Sequence, residues 1–236
     1  MLFNSIEFIF FFLPATLVVF YLLRFYQPLW MSVCWLVIAS LFFYSWWNPS
    51  YLLLISASIV VNYTVGMGME RAQLSRYAIL CLGVGFNLLL LAYFKYTNFM
   101  IDNVNEYMGL SFEVQTIVLP LAISFFTFQQ IAYLVDTYRR KDREMDFLRY
   151  CLFVSFFPQL IAGPIVHHNE MMPQFFRRFS RREIPVNLVI GISIFVIGLF
   201  KKVVLADGVA LYASPVFDAA AQGYTLSFFE AWFGVL

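Results

Sequence analysis

Residues Leu119–Phe176 read LPLAISFFTFQQIAYLVDTYRRKDREMDFLRYCLFVSFFPQLIAGPIVHHNEMMPQFF, and the fold turns on how this stretch meets a membrane. It predicts an apolar helix over Leu119–Val135, a basic loop over Asp136–Arg149 and a short apolar segment, Tyr150–Val166. The pair His167-His168 and a second basic cluster with Arg177, Arg178, Arg181 and Arg182 follow. If Tyr150–Val166 crossed a bilayer, the two basic clusters would lie on opposite faces. Pro158 removes a backbone donor, and Gly163-Pro164 breaks the helix again. The uninterrupted piece Tyr150–Phe157 is about 12 Å long at 1.5 Å per residue, against a hydrocarbon core of roughly 30 Å. The segment therefore reads as re-entrant, with both basic clusters on one membrane face. Its Pro-Gln-Leu-Ile-Ala-Gly-Pro turn is expected to line something buried, because irregular backbone at membrane depth needs protein or a water-filled cavity around it.

Composition agrees with a membrane setting. Of 236 residues 62% are hydrophobic and 12% charged, too few charges to cover a soluble domain of this size. The mean hydropathy is +0.77. The fold class expected is an all-α, polytopic helical membrane protein with a re-entrant segment. Candidate spans are Phe8–Leu23, Leu29–Trp46, Tyr51–Gly66, Tyr77–Phe94, Ile117–Val135 and Val186–Leu205, with a further block at Thr225–Leu236. No Lys or Arg precedes Phe8, so the first block reads as a retained span rather than a cleaved signal. Cys34, Cys81 and Cys151 lie inside apolar blocks without metal-ligand spacing and read as small hydrophobes.

Orientation follows from the connections. The first carries Arg24, the third Arg71 and Arg76, and the fifth Arg139, Arg140, Lys141, Arg143 and Arg149. The second is uncharged, and the fourth sets Lys95 against Asp102, Glu106 and Glu113. Basic connections lie on the cytoplasmic side, which places the N-terminus outside. Tyr93-Phe94-Lys95-Tyr96 reads as a helix leaving the membrane through an aromatic belt, and Asn98–Tyr107 as an interfacial helix.

Polar residues within apolar blocks need partners or a cavity. Thr127, Gln130, Tyr133 and Asp136 recur every three residues, with Gln129 beside them. They read either as interhelical hydrogen bonds or as the wall of a polar tunnel, to which Gln159, Gly163 and Pro164 would add a floor. Asn62 and Asn87 read as structural glue. Lys201 and Lys202 point about 100° apart on a helix. They read as snorkelling lysines, or as one inward lysine that holds an anion or pairs with Asp207. His167 and His168 lack the spacing of a metal site, and no metal is expected. They read as interfacial histidines or as a general base near the buried turn. Phe175–Arg182 reads as an anchor on anionic lipid, or as a grip on the phosphates of a cytoplasmic cofactor.

Together these stretches resemble the membrane-bound O-acyltransferases, in the bacterial branch typified by the alginate O-acetyltransferase membrane subunit. The resemblance rests on Met1–Ser5 (MLFNS), Phe43–Trp47 (FYSWW), Tyr93–Phe99 (YFKYTNF) and Leu119–Phe128 (LPLAISFFTF) leading to Tyr133–Arg139 (YLVDTYR). Phe157–Ile165 (FPQLIAGPI) and Gly198–Asp207 (GLFKKVVLAD) complete the set. It implies an acyl group, usually acetyl, taken from a cytoplasmic thioester such as acetyl-CoA. The group passes through a tunnel to an extracytoplasmic polysaccharide or a periplasmic or extracellular partner transferase. The setting implied is the bacterial cytoplasmic (inner) membrane, with no nucleic-acid partner. In the family the catalytic histidine lies in a Trp-His-containing stretch of the second half, which neither His167 nor His168 matches. The expectation is an N-terminal half of one transmembrane domain, inactive alone, with its catalytic residue beyond Leu236. Two other readings are half of a secondary transporter, since interrupted helices also mark those, and a noncatalytic scaffold of a polysaccharide-modifying complex.

Overall fold

The computed structural model describes residues 1–71, 75–108, 117–139, 146–163, 168–177 and 182–235. All regular elements among them are helical. A π-helical turn, Glu7–Phe12, leads into α1 (Leu13–Tyr26), followed by α2 (Leu29–Ser45), α3 (Ser50–Arg71), α4 (Arg76–Met108) and α5 (Ile123–Tyr138). Short helices α6 (Phe147–Ser155), α7 (Phe157–Ala162) and α8 (His168–Phe176) come next. Then α9 (Glu183–Phe200) runs through a second π turn, Lys201–Ala206, into α10 (Asp207–Ala221), and α11 (Phe228–Val235) follows. Four runs among the described residues are long and apolar enough to cross a membrane: Glu7–Tyr26, Ser50–Arg71, Arg76–Tyr107 and Glu183–Ala221. The chain is an all-α polytopic membrane protein.

It divides into two compact units, one formed by Met1 and Ile9–Arg177 and the other by Leu2–Phe8 and Arg178–Leu236. In the first, α1 packs on α2, and the Trp35 indole donates to Thr16 O at 3.1 Å. Helices α3, α4 and α5 pack together, with Gly83 bringing α4 close to Val65 and Leu134. The core is not built around a long helix. It is built around α6 and α7, where Tyr150, Leu152, Phe153, Val154, Ser155, Phe157 and Leu160 are all buried. At nine residues α6 is about 13 Å long, so it serves as core rather than span.

Several expected boundaries shift. The fifth span begins at Ile123, not Ile117 or Leu119, because Leu121 and Ala122 form a turn after Pro120. The turn is held from both sides. Tyr44 Oη donates to Leu121 O at 2.9 Å, and the Asn98 amide both donates to Ile117 O and accepts from Ile117 N, at 2.8 and 3.0 Å. At 16 residues α5 is about 24 Å long. The expected exit near Lys95 and the separate interfacial helix are replaced by one 33-residue helix of about 50 Å, since nothing between Phe94 and Met108 interrupts it. Lys95 sits mid-helix, 5.5 Å from the Tyr96 ring centroid.

Ala122 has φ of 59°, the one non-glycine residue in the left-handed region among those described. That conformation costs an alanine about 1 kcal/mol. Ala122→Gly is therefore expected to raise stability by about 1 kcal/mol, measured as a higher thermal midpoint in detergent.

In the second unit α9 has no buried residues and turns Val189, Ile190, Ile192 and Ile194 outward, as a helix against lipid does. The sixth span accordingly continues past Leu205 to Ala221, a 39-residue run of about 58 Å. Phe8 is buried here and lies 6.3 Å from Phe195 between ring centroids. The last block forms α11 behind a reciprocal cap: Ser227 N donates to Glu230 Oε2 at 2.8 Å, and Glu230 N donates to Ser227 Oγ at 3.3 Å. Gly234 of α11 packs directly on Val216 of α10.

Candidate functional site

The interruption between α6 and α7 falls at Phe156, whose ψ of 109° leaves the helical region. In a continuous helix the Phe157 N–H would bond to Phe153 O, and residue 158 would bond to Val154 O. Pro158 has no N–H to give, and the turn at Phe156 removes the other bond. Both ends of the broken bond are satisfied by side chains from elsewhere. Phe157 N donates to Ser40 Oγ on α2 at 3.2 Å, and Gln129 Nε2 on α5 donates to Phe153 O at 2.8 Å. Ser40 and Gln129 are fully buried, so the break is part of the packed interior. After one and a half turns α7 ends at Gly163, whose N–H donates to Gln159 O at 2.9 Å. A Cβ at Gly163 would lie 2.7 Å from Gln159 Cα and 2.9 Å from its carbonyl oxygen, so only glycine fits there.

Above this break stands a cluster of rings. Tyr133 on α5 lies 4.5 Å from Tyr150 and 6.1 Å from His168, and Phe153 lies 5.1 Å from His168, all between centroids. The Tyr150 hydroxyl is buried and has no hydrogen-bond partner among the described residues. Gly66 on α3 faces Tyr133, where a Cβ would come within 3.2 Å of the phenol oxygen. His168 opens α8 at 7% exposure, packed edge-on against these rings.

The predicted polar stripe on α5 holds in part. Thr127, Gln129, Gln130 and Tyr133 are all buried, but Asp136 is only half-buried and Thr137 takes the buried place. A step of three falls about 60° behind the helical period each time, so by Asp136 the series has left the packed face. Gln159 on α7 is nine-tenths buried. The structure thus brings Thr127, Gln129, Gln130, Tyr133, Gln159 and His168 into the first unit's interior, with Gly163 half-buried beside them. Pro164 and His167 lie outside the described residues, as do Arg140, Lys141, Arg143, Arg178 and Arg181. Lys201 and Lys202 belong to the second unit. There the π turn, whose repeat joins residues five apart, sets Lys202 against Asp207 as an ion pair at the surface, and Lys201 is exposed as well.

The basic ends of the first unit's helices also meet. Arg149, at the start of α6, stacks 3.8 Å from the centroid of Phe176, the last residue of α8. Arg24, at the end of α1, donates to Arg177 O at 2.7 Å. Arg76, opening α4, donates to Thr137 O near the end of α5 at 3.1 Å. The chain therefore returns after α6, α7 and α8 to the level from which it set out. Sequence reasoning missed Ser40, Tyr44, Ser58, Thr137 and Tyr150. Three of these are small hydroxyl residues that an apolar run conceals; the aromatic hydroxyls carry no signal of what their rings pack against.

Comparison with known proteins points one way. A family model described as MBOAT, membrane-bound O-acyltransferase family, matches residues 41–222. The chain is 46% identical to a peptidoglycan O-acetyltransferase of Helicobacter pylori, over 98% of this chain and 49% of that protein. It is 37% identical to a probable alginate O-acetylase AlgI of Pseudomonas aeruginosa, over 100% of this chain and 45% of that protein. A probable alginate O-acetylase AlgI of Azotobacter vinelandii is 35% identical over 100% of this chain and 47% of its own length. The chain spans about half the length of these relatives. No solved structure matches it significantly.

Proposed function

Because the chain belongs to the membrane-bound O-acyltransferase family, we propose that it forms the donor-side wall of an O-acetyltransferase that moves an acetyl group across the bacterial cytoplasmic membrane. The donor is a cytoplasmic acyl thioester such as acetyl-CoA, and the acceptor an extracytoplasmic polysaccharide or a partner transferase. The relatives' names divide between peptidoglycan and alginate; a glycan hydroxyl is the acceptor chemistry common to both. The N-terminus lies outside and the basic ends at Arg24, Arg149 and Arg177 face the cytoplasm.

One observation carries the reading. The broken α6–α7 segment is buried, capped by Ser40 and Gln129, and flanked by ends that meet at Arg149 and Phe176. Such a segment dips into the membrane and returns, and supplies polar backbone and side chains at a depth where a plain span supplies none. In the transfer, a base takes the proton of the acceptor hydroxyl, the oxygen attacks the thioester carbonyl, and the thiolate leaves and is protonated. The base is assigned to a histidine outside these residues, since His168 is held between the rings of Tyr133 and Phe153. Family membership favours this reading over a transporter half, whose cargo would cross intact.

Proteoliposomes test it. Labelled acetyl-CoA is supplied on the Arg24 side, and muropeptides or mannuronate oligomers on the other. A chimaera that joins this chain to the C-terminal half of the Helicobacter pylori relative is expected to acetylate an external acceptor, while the 236-residue chain alone is expected to give no turnover. Delivery of intact thioester without O-acetylation would favour transport. Robust transfer by the chain alone would place the base within it.

A further inference from the structure

Gln130 stands at the end of a hydrogen-bond chain that crosses three helices of the first unit. Asn87 Nδ2 on α4 donates to Gly83 O at 2.8 Å and to Asn62 Oδ1 on α3. Asn62 Nδ2 donates to Asn87 Oδ1 at 3.2 Å and to Ser58 O at 2.9 Å. Ser58 Oγ donates to Gln130 Oε1 on α5 at 3.2 Å. The last step occupies the Gln130 carbonyl, and in this arrangement its amide nitrogen is turned away from Ser58. Gln130 is completely buried, and its Nε2 has no acceptor among the described residues. One turn earlier on the same face, Thr127 Oγ1 is also buried with no partner among the described residues.

A buried donor left without an acceptor is destabilising, and a network complete at every step but its last points to a missing acceptor. The network is uncharged throughout: Ser58, Asn62, Asn87, Thr127 and Gln130 carry no formal charge. An ionic ligand would lose its hydration here without a counter-charge, whereas a neutral carbonyl would lose little. We propose that Gln130 Nε2, with Thr127 Oγ1 one turn away on the same helix, binds the carbonyl oxygen of an uncharged acyl thioester. Ser58 and Asn62 act as positioning residues that hold the amide in register. The assignment rests on the acyl-donor reading above and names the residue that reads the donor's acyl end.

The test uses S-[1-13C]acetyl-pantetheine with the full 236-residue chain in lipid vesicles. Binding is followed by equilibrium dialysis and the labelled carbonyl by isotope-edited infrared spectroscopy. The bound carbonyl band is expected at lower frequency than that of the free thioester. In Gln130→Met it should return to the free position, with affinity about five-fold weaker, the loss of one neutral hydrogen bond. Ser58→Ala should leave the shift but broaden it, since the amide can then rotate. Should Gln130→Met fail to fold for want of a partner for Ser58, the double variant Ser58→Ala/Gln130→Met removes both groups and gives the same readout. If the probe binds but its band does not respond to Gln130, this assignment is overturned while the donor reading survives. If the wild-type chain does not bind the probe, both fall together.

Discussion

Gly163→Ala is expected to lower stability by about 3 kcal/mol and to abolish any acyl transfer that depends on the α7 turn. The new methyl would meet the Gln159 backbone at 2.7 and 2.9 Å, and backbone cannot move aside as the end of a side chain can. Thermal unfolding in detergent measures this directly. Gly191→Ala is the matched control: it lies within α9, no atom comes within 4 Å of its new Cβ, and helix propensity favours alanine there. That variant should hold or gain about 0.5 kcal/mol. Equal losses at the two sites would show that Gly163 holds no special position.

The second large effect is expected from the two side chains that satisfy the helix break. Gln129→Met leaves Phe153 O without its amide donor, and Ser40→Ala leaves Phe157 N without its hydroxyl acceptor. Each buried orphan costs about 1–3 kcal/mol. The two losses should not add. With both side chains gone, Phe156 can relax so that Phe157 N and Phe153 O approach each other, although Pro158 still keeps the segment from becoming a regular helix. The double variant should therefore be more stable than the sum of the singles predicts, by about 1 kcal/mol. It should also lose transfer while it remains folded. Strict additivity in a thermal double-mutant cycle would mean that Ser40 and Gln129 do not cap one broken bond.

How much of this could be read from the sequence depends on the range of the physics. The break itself is local: Pro158 stands in the first turn of α7, two residues after the break at Phe156, and Gly163 closes that helix. What satisfies the break is not local. Ser40 lies 117 residues from Phe157, and Gln129 lies 24 from Phe153, so nothing in the sequence pattern joins them. Hydropathy located apolar helices but not their ends, and four of the described runs are long enough to cross a membrane. Leu119–Ala122 is apolar enough to count as helix, yet it is a turn pinned by Tyr44 and Asn98. The apolar window closes at Phe94, while α4 continues unbroken to Met108. On α5 a three-residue count reached Asp136 where the helical period leads to Thr137. The Asn62–Asn87 pair was legible as glue because two isolated amides in apolar helices have few other ways to be satisfied. Its continuation through Ser58 to Gln130 was not, since a serine on an apolar helix resembles any small residue.

The central claim is that α6, α7 and α8 leave and rejoin the same membrane face, and site-directed labelling tests it most directly. Cys34, Cys81 and Cys151 are replaced by alanine, and single cysteines are placed at Asp146 and at Arg177, which flank the three helices and are exposed. A membrane-impermeant maleimide is then applied to intact cells and to inverted vesicles. Both positions are expected to react from one and the same side, as the Arg149–Phe176 and Arg24–Arg177 contacts require; under the proposed orientation that side is the one exposed in inverted vesicles. Labelling of one position from outside and the other from inside would make the segment a crossing, and would contradict the account.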